Sequence, residues 1–76
     1  MDTLRLFCDV ARCQSFSQAA GEHGITQSAA SQRISALERR LGVTLLDRSV
    51  RPLGMTPAGQ LFAEECRQIL DRYDRL

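Results

Sequence analysis

Apolar residues return at helical spacing from the start of the chain. Leu4, Phe7, Cys8 and Ala11, with Leu6 and Val10 alongside, predict an amphipathic helix from about Asp2 to Arg12. The stretch Cys13-Gln14-Ser15-Phe16-Ser17 interrupts the pattern, and Ser15 or Ser17 can cap the amides that open the next helix. That second helix is short, roughly Gln18 to His23. Ala19 and Ala20 give it a flat side, and Gly24 ends it because glycine enters the left-handed region without steric cost. Gly21 is its weak point, since glycine inside a helix costs about 1 kcal/mol against alanine. Ile25 is expected to plug the core and Thr26 to cap a third helix from Gln27 to about Leu41. Its buried stripe reads Ala30, Ile34, Leu37 and Leu41, and Gly42 stops it.

The next segment, Val43 to Thr56, changes character. β-branched and apolar residues flank a centre holding Ser49 and Pro52. The pattern predicts a two-stranded hairpin, about Leu45–Arg48 and Leu53–Thr56, packed on the helices because two strands alone are marginal. Thr56-Pro57 is a sharp helix start: a hydroxyl cap, then a proline whose missing amide does no harm. The fourth helix runs from Pro57 to the chain end. The predicted fold is mainly α, with a three-helix core, a small two-stranded wing and a long C-terminal helix. Residues 1–57 form the domain proper and 58–76 a linker helix.

On that last helix Phe62, Cys66, Ile69, Tyr73 and Leu76 step by four, three, four and three, the spacing of a heptad seam. Leu61 and Leu70 are expected to widen it toward the rest of the domain. The first turns can pack on the domain's own core. A stripe reaching the last residue outruns such a core and suits a homodimer through this helix.

Length and charge narrow the function. With 76 residues there is room for one small core. No apolar run approaches membrane-spanning length and nothing resembles a signal peptide, so the expected setting is cytoplasmic. Cys8, Cys13 and Cys66 form no C-x-x-C pair and read as free thiols, with Cys8 and Cys66 as small core residues. His23 is the single histidine. No metal site or cofactor is called for, and no glycine loop or paired acid and base suggests an enzyme. All ten basic residues are arginines. Arg33, Arg39, Arg40, Arg48 and Arg51 stand in the middle third against only Glu38 and Asp47, while both ends are slightly acidic. A locally basic middle is what a phosphate-facing surface needs.

A short helix with small residues, a glycine turn and a longer helix is the helix-turn-helix plan. On the outward side of the third helix Gln27 can bond base edges in a bidentate way. Ser28 and Ser31 are short enough to let the helix sink, and Gln32 and Arg33 reach sideways. Between Thr26 and Ser35 there is no acidic residue, whereas an ordinary solvated helix face carries i,i+4 charge pairs.

The runs SFSQAAGEHGITQSAASQRISALERRLGVTLLDR and RPLGMTPAGQLF make the chain resemble, over essentially its whole length, the N-terminal domain of the LysR-type transcriptional regulators. The resemblance implies a winged helix-turn-helix that binds double-stranded DNA at an interrupted dyad. The fourth helix would then be the linker through which two subunits pair. It also implies that any small-molecule effector belongs to a separate C-terminal domain, so that this chain looks like the DNA-binding part alone, cut within the linker helix. By position, Gln27, Ser28, Ser31 and Gln32 fall on the family's recognition contacts, with Thr26 at the helix start and Arg33 beside them. Arg48 and Arg51 flank the wing tip and are expected to reach phosphates or the minor groove. Three positions depart from the family pattern. Ser28 stands where many members have proline, Gln32-Arg33 inverts the commoner order, and His23 replaces an apolar residue. His23 is expected to be partly buried and structurally satisfied. The alternative reading is a winged helix used only for protein–protein contact.

Overall fold

Three hydroxyl caps and two left-handed glycines set the helix ends. The computed structural model describes residues 2–76 and places α1 at Asp2–Cys13, α2 at Phe16–His23, α3 at Gln27–Leu41 and α4 at Pro57–Asp74. Ser15 Oγ accepts from the Gln18 N–H at 3.1 Å, so α2 begins two residues before the predicted start. Thr26 Oγ1 accepts from Ala29 N–H and Thr56 Oγ1 from Gly59 N–H, each at 3.0 Å, as the sequence predicts. Gly24 (φ 67°) and Gly42 (φ 73°) close α2 and α3 in the left-handed region. The Ile25 N–H then reaches back to the Ala20 carbonyl at 3.0 Å, satisfying an end carbonyl of α2.

The core lies where α1, α2 and α3 meet. Leu6, Phe7 and Val10 of α1 pack with Ala19 and Ala20 of α2 and with Ala30, Ile34 and Leu37 of α3. Leu45, Leu46 and Leu53 from the wing and Ala63 from α4 close it. Small residues at 19, 20 and 30 let the helices cross closely. The predicted α3 stripe stops one turn early. Leu41 is 44% exposed, because the last turn of α3 projects past the edge of the core beside Leu4 and Arg40.

The wing is shorter than the sequence suggests. β1 is Leu46–Asp47 and β2 is Gly54–Met55, antiparallel, with Leu46 opposite Met55 and Asp47 opposite Gly54. Two sets of competing bonds end the ladder. The Asp47 carboxylate takes both the N–H and the hydroxyl of Ser49, turning the chain there. The Leu53 N–H bonds the Gln14 carbonyl at 3.2 Å instead of a strand partner, while Gln14 Nε2 donates to the Leu53 carbonyl. Gln14 itself sits at φ 53°, an unusual region for a non-glycine residue.

Helix α4 lies along α1 with Gly59, Ala63, Cys66 and Leu70 buried. The Phe62 ring meets Phe7 edge-on, centroids 5.4 Å apart. The predicted seam therefore divides. Cys66 is buried and Phe62 half-buried against this chain's own core, because they lie on the side of α4 that α1 covers. Ile69, Tyr73 and Leu76 remain exposed. Leu61, expected to turn toward the domain, is 72% exposed. Cys8, expected in the core, is only half-buried, in a groove between α1 and α4 with Met55 and Ala63. No helix among the described residues is long and apolar enough to cross a membrane.

Candidate nucleic-acid interface

The first turns of α3 stand clear of the core. Gln27, Ser28, Gln32 and Arg33 are exposed, and Ser31 is half-buried on the side facing the wing. The Thr26 hydroxyl is spent on the helix cap. An open groove of about 320 Å³ runs between the start of α2, the start of α3 and the wing, bounded by Ser17, Phe16, Gln27, Ser31, Arg48 and Arg51. No carboxylate lines it, so its charge is that of the two arginines. The structure brings Gln27, Ser31, Arg48 and Arg51 together there. Arg33 is turned the other way and lines a hollow with Thr3, Leu4 and Arg40.

The two wing arginines differ in what they hold. Arg51 Nη1 donates to the carbonyls of Arg48 and Val50 in its own turn, at 3.0 and 3.1 Å, and remains exposed. Arg48 is folded back on the recognition helix. Its Nη1 donates to Ser31 Oγ at 2.6 Å and its Nη2 to Ser35 Oγ at 3.0 Å. Its Cζ lies 4.6 Å from the centre of the Phe16 ring, a cation–π contact. Glu38 Oε1 is 3.8 Å from Nη2, and Glu38 Oε2 accepts the Leu45 and Leu46 N–H groups at 2.7 and 3.2 Å. One carboxylate thus ties the wing to α3 and helps to hold Arg48. Sequence reasoning missed Gln14, Phe16 and Glu38 as parts of this assembly. Phe16, an apolar residue between two serines at a helix start, was the visible signal for one of them.

Two further titratable groups are settled by their partners. The Ser49 hydroxyl and N–H hold the Asp47 carboxyl below its ordinary range, so the wing keeps one negative charge beside the turn. His23 is half-buried and satisfied, as the sequence reading expects, and its Nε2, 2.7 Å from Asp9 Oδ2, also ties α2 to α1. Arg12 adds a second tie, to Glu22 at 2.6 Å.

The sequence profile described as bacterial regulatory helix-turn-helix protein, lysR family, matches residues 1–60. The chain is 42% identical over 72 residues to the probable cat1 operon transcriptional activator of Acinetobacter lwoffii, covering 95% of this chain and 24% of that protein. It is 38% identical over 68 residues to the HTH-type transcriptional regulator YjiE of Escherichia coli (strain K12), covering 90% and 22%. The chain thus spans about a quarter of the length of these two relatives. Among solved structures, the complex of the BenM DNA-binding domain with catB site 1 DNA superposes with a TM-score of 0.95 at 38% identity, over 97% of this chain and 80% of that one. Full-length CbnR complexed with its target DNA superposes with a TM-score of 0.88 at 36% identity, over 97% of this chain and 26% of that one. The matched sequence and the shared fold agree: the chain belongs to the lysR family of bacterial regulatory helix-turn-helix proteins, as its winged helix-turn-helix DNA-binding domain.

Proposed function

We propose that this domain reads double-stranded DNA by laying the first turns of α3 in the major groove, with the wing on the backbone or minor groove beside it. One observation carries the reading. An exposed helix start bearing Gln27, Ser28 and Gln32 flanks a groove lined by two arginines and no carboxylate. Glutamine matches base edges in a bidentate way and short serines allow close approach. The unpaired amides of a helix N-terminus suit a phosphate. The BenM domain, similar over 97% of this chain, is itself a DNA complex in the matched structure. In this reading Gln27, Ser28, Ser31 and Gln32 face bases and Arg51 faces the backbone, with Thr26 fixing the helix start. Arg33 serves a neighbouring phosphate.

The same reading makes the protein a cytoplasmic transcriptional regulator acting as a homodimer on an interrupted dyad, paired through α4. An effector, where one is used, would act through chain outside these residues. Selection of bound sites from random double-stranded DNA tests the proposal, and enrichment of a two-fold related pair of half-sites is the expected result. Failure to enrich any sequence, with binding equal across random duplexes, refutes base reading by α3, and no binding to any duplex favours a protein–protein role for the same face.

A further inference from the structure

We propose that Arg48 is a positioning residue, not a DNA ligand, and that it fixes the Ser31 hydroxyl as a hydrogen-bond donor, so that Ser31 engages an acceptor on the DNA. This deepens the proposed function and rests on it. A guanidinium carries N–H donors and no acceptor. With Arg48 Nη1 at 2.6 Å, Ser31 Oγ must therefore accept from it. A serine hydroxyl has one proton and two lone pairs, and left to itself it rotates to suit whatever it meets. Arg48 occupies one lone pair and turns the hydroxyl proton away from itself, which biases Ser31 toward donating. The Ser31 hydroxyl donates to no acceptor among the described residues, so its proton is left for the groove. A donor held there matches a purine N7, a guanine O6, a thymine O4 or a phosphate oxygen. It favours these over the exocyclic amino groups of adenine and cytosine, which could use only the one lone pair that Arg48 leaves.

Arg48 is suited to this task because three elements hold it. Phe16 of α2 lies under its plane, Ser31 and Ser35 of α3 take its two Nη groups, and Glu38 stands near Nη2 while binding the amides at the base of the wing. Turning the guanidinium outward to a phosphate would give up these charge-assisted bonds together. Arg51, whose guanidinium holds only carbonyls of its own turn, is the wing residue left to meet the backbone.

The test uses the selected site with one acceptor removed at a time, by 7-deazapurine for N7, 2-aminopurine for guanine O6, 5-methyl-2-pyrimidinone for thymine O4 or methylphosphonate for a phosphate oxygen, with titrations over a salt series. Wild-type protein should lose about tenfold in affinity at one such position, a cost of about 1.4 kcal/mol. A base-analogue position identifies a base acceptor and a methylphosphonate position identifies a phosphate. Ser31→Ala should be insensitive at that position. Arg48→Met keeps an apolar stem on Phe16 and leaves Glu38 its two amide partners. It should lose the same sensitivity, keep the wild-type salt slope, and add nothing further in the double variant with Ser31→Ala. If Arg48→Met instead flattens the salt slope by about one phosphate contact and keeps the acceptor sensitivity, Arg48 is a phosphate ligand and the proposal fails. An independent readout needs no variant. The Arg48 Nη signals in NMR should show hindered rotation in free protein and stay unchanged on adding DNA. Hindrance that appears only with DNA also overturns the assignment. A wild-type protein with no preferred site would refute base reading itself, an outcome distinct from either of these.

Discussion

Gly59 lies against the Leu45 carbonyl so closely that a Cβ on it would be 1.9 Å from the oxygen. The carbonyl cannot retreat, because it accepts the Thr56 N–H at 3.0 Å, and the Thr56 hydroxyl donates to the Thr44 carbonyl next to it. The first turn of α4 and the entry to the wing are thus in direct backbone contact. Gly59→Ala should destabilise the domain by about 3 kcal/mol or more. The thermal midpoint should then fall by more than about 10 °C. Gly21 provides the opposite sign: nothing lies within 4 Å of its added Cβ, and it sits inside α2. Gly21→Ala should raise stability by about 1 kcal/mol. Equal midpoints for the two variants would refute the close approach at Gly59.

Burial, with Cys8 and Glu65 nearby, pushes the Cys66 thiol up to about 11. Almost none of it is thiolate at pH 8, and the thiolate is the reactive form. Native protein treated with iodoacetamide at pH 8 should be modified at the partly exposed Cys13 before Cys66, which should react only once denaturant is added. Mass spectrometry of the labelled peptides reads the order. Modification of both at one rate would mean that α4 does not stay packed on α1.

Arg5 of α1 ties down the far end of α4. Its Nη1 donates to Asp74 Oδ2 at 3.2 Å, its Nη2 pairs with the other carboxylate oxygen, and its Cζ lies 6.0 Å from the Tyr73 ring. Hydrogen bonding to Arg5 holds the Asp74 carboxyl below its ordinary value. A carboxyl depressed in the folded state contributes stability above its unfolded value and loses it as pH falls through the folded one. Protection against amide exchange in the last turn of α4, measured relative to the intrinsic rate at each pH, should therefore fall as the solution is acidified below the ordinary carboxylate range. Arg5→Ala should show the lowered protection already at neutral pH. The effect is local and small, because both partners are largely exposed.

Arg51 should govern affinity without governing sequence. Each arginine–phosphate contact releases counterions, so affinity falls steeply with salt. Arg51→Ala should weaken binding to every duplex alike and reduce the magnitude of the logarithmic salt slope by about 1. An unchanged slope would remove Arg51 from the backbone contacts.

Much of this arrangement was legible because its signals are local. A serine or threonine before an apolar period, and a glycine after it, act within one helical turn, so Ser15, Thr26 and Thr56 cap and Gly24 and Gly42 stop as read. The partition of α4 was not legible. Gly59, Ala63, Cys66 and Leu70 make one inward stripe, and Leu61, Ile69 and Tyr73 another outward. The heptad stripe of Phe62, Cys66, Ile69, Tyr73 and Leu76 straddles both, and only the contact with α1 divides it. Arg48 was unreadable for a related reason. Its sequence neighbours place it beside the wing turn, while its partners come from α2 and α3. Leu41 keeps the period of α3 one turn beyond the residues that could cover it.

That partition sharpens what a dimer through α4 would use. At 100° per residue, Leu61, Ile69 and Tyr73 fall within about a third of the helix circumference, and Leu76 follows just past its end. Ile69 is 45% exposed and Tyr73 51%, the apolar surface α4 keeps after α1 has taken its share. A helix laid antiparallel on this strip would relate two copies by a two-fold axis and hold two recognition helices at one spacing, as a dyad requires. Ile69→Glu places a charge at the centre of the strip and touches none of the core, so circular dichroism should be unchanged while sedimentation equilibrium shows monomer. Binding to a full dyad should lose its cooperativity and binding to one half-site should persist. Phe62→Ala should do the reverse. It removes the ring packed on Phe7, lowers stability by roughly 2–3 kcal/mol, and leaves the association of the folded fraction intact. A dimer that survives Ile69→Glu and is lost in Phe62→Ala would put the pairing surface on the α1 side of the helix instead.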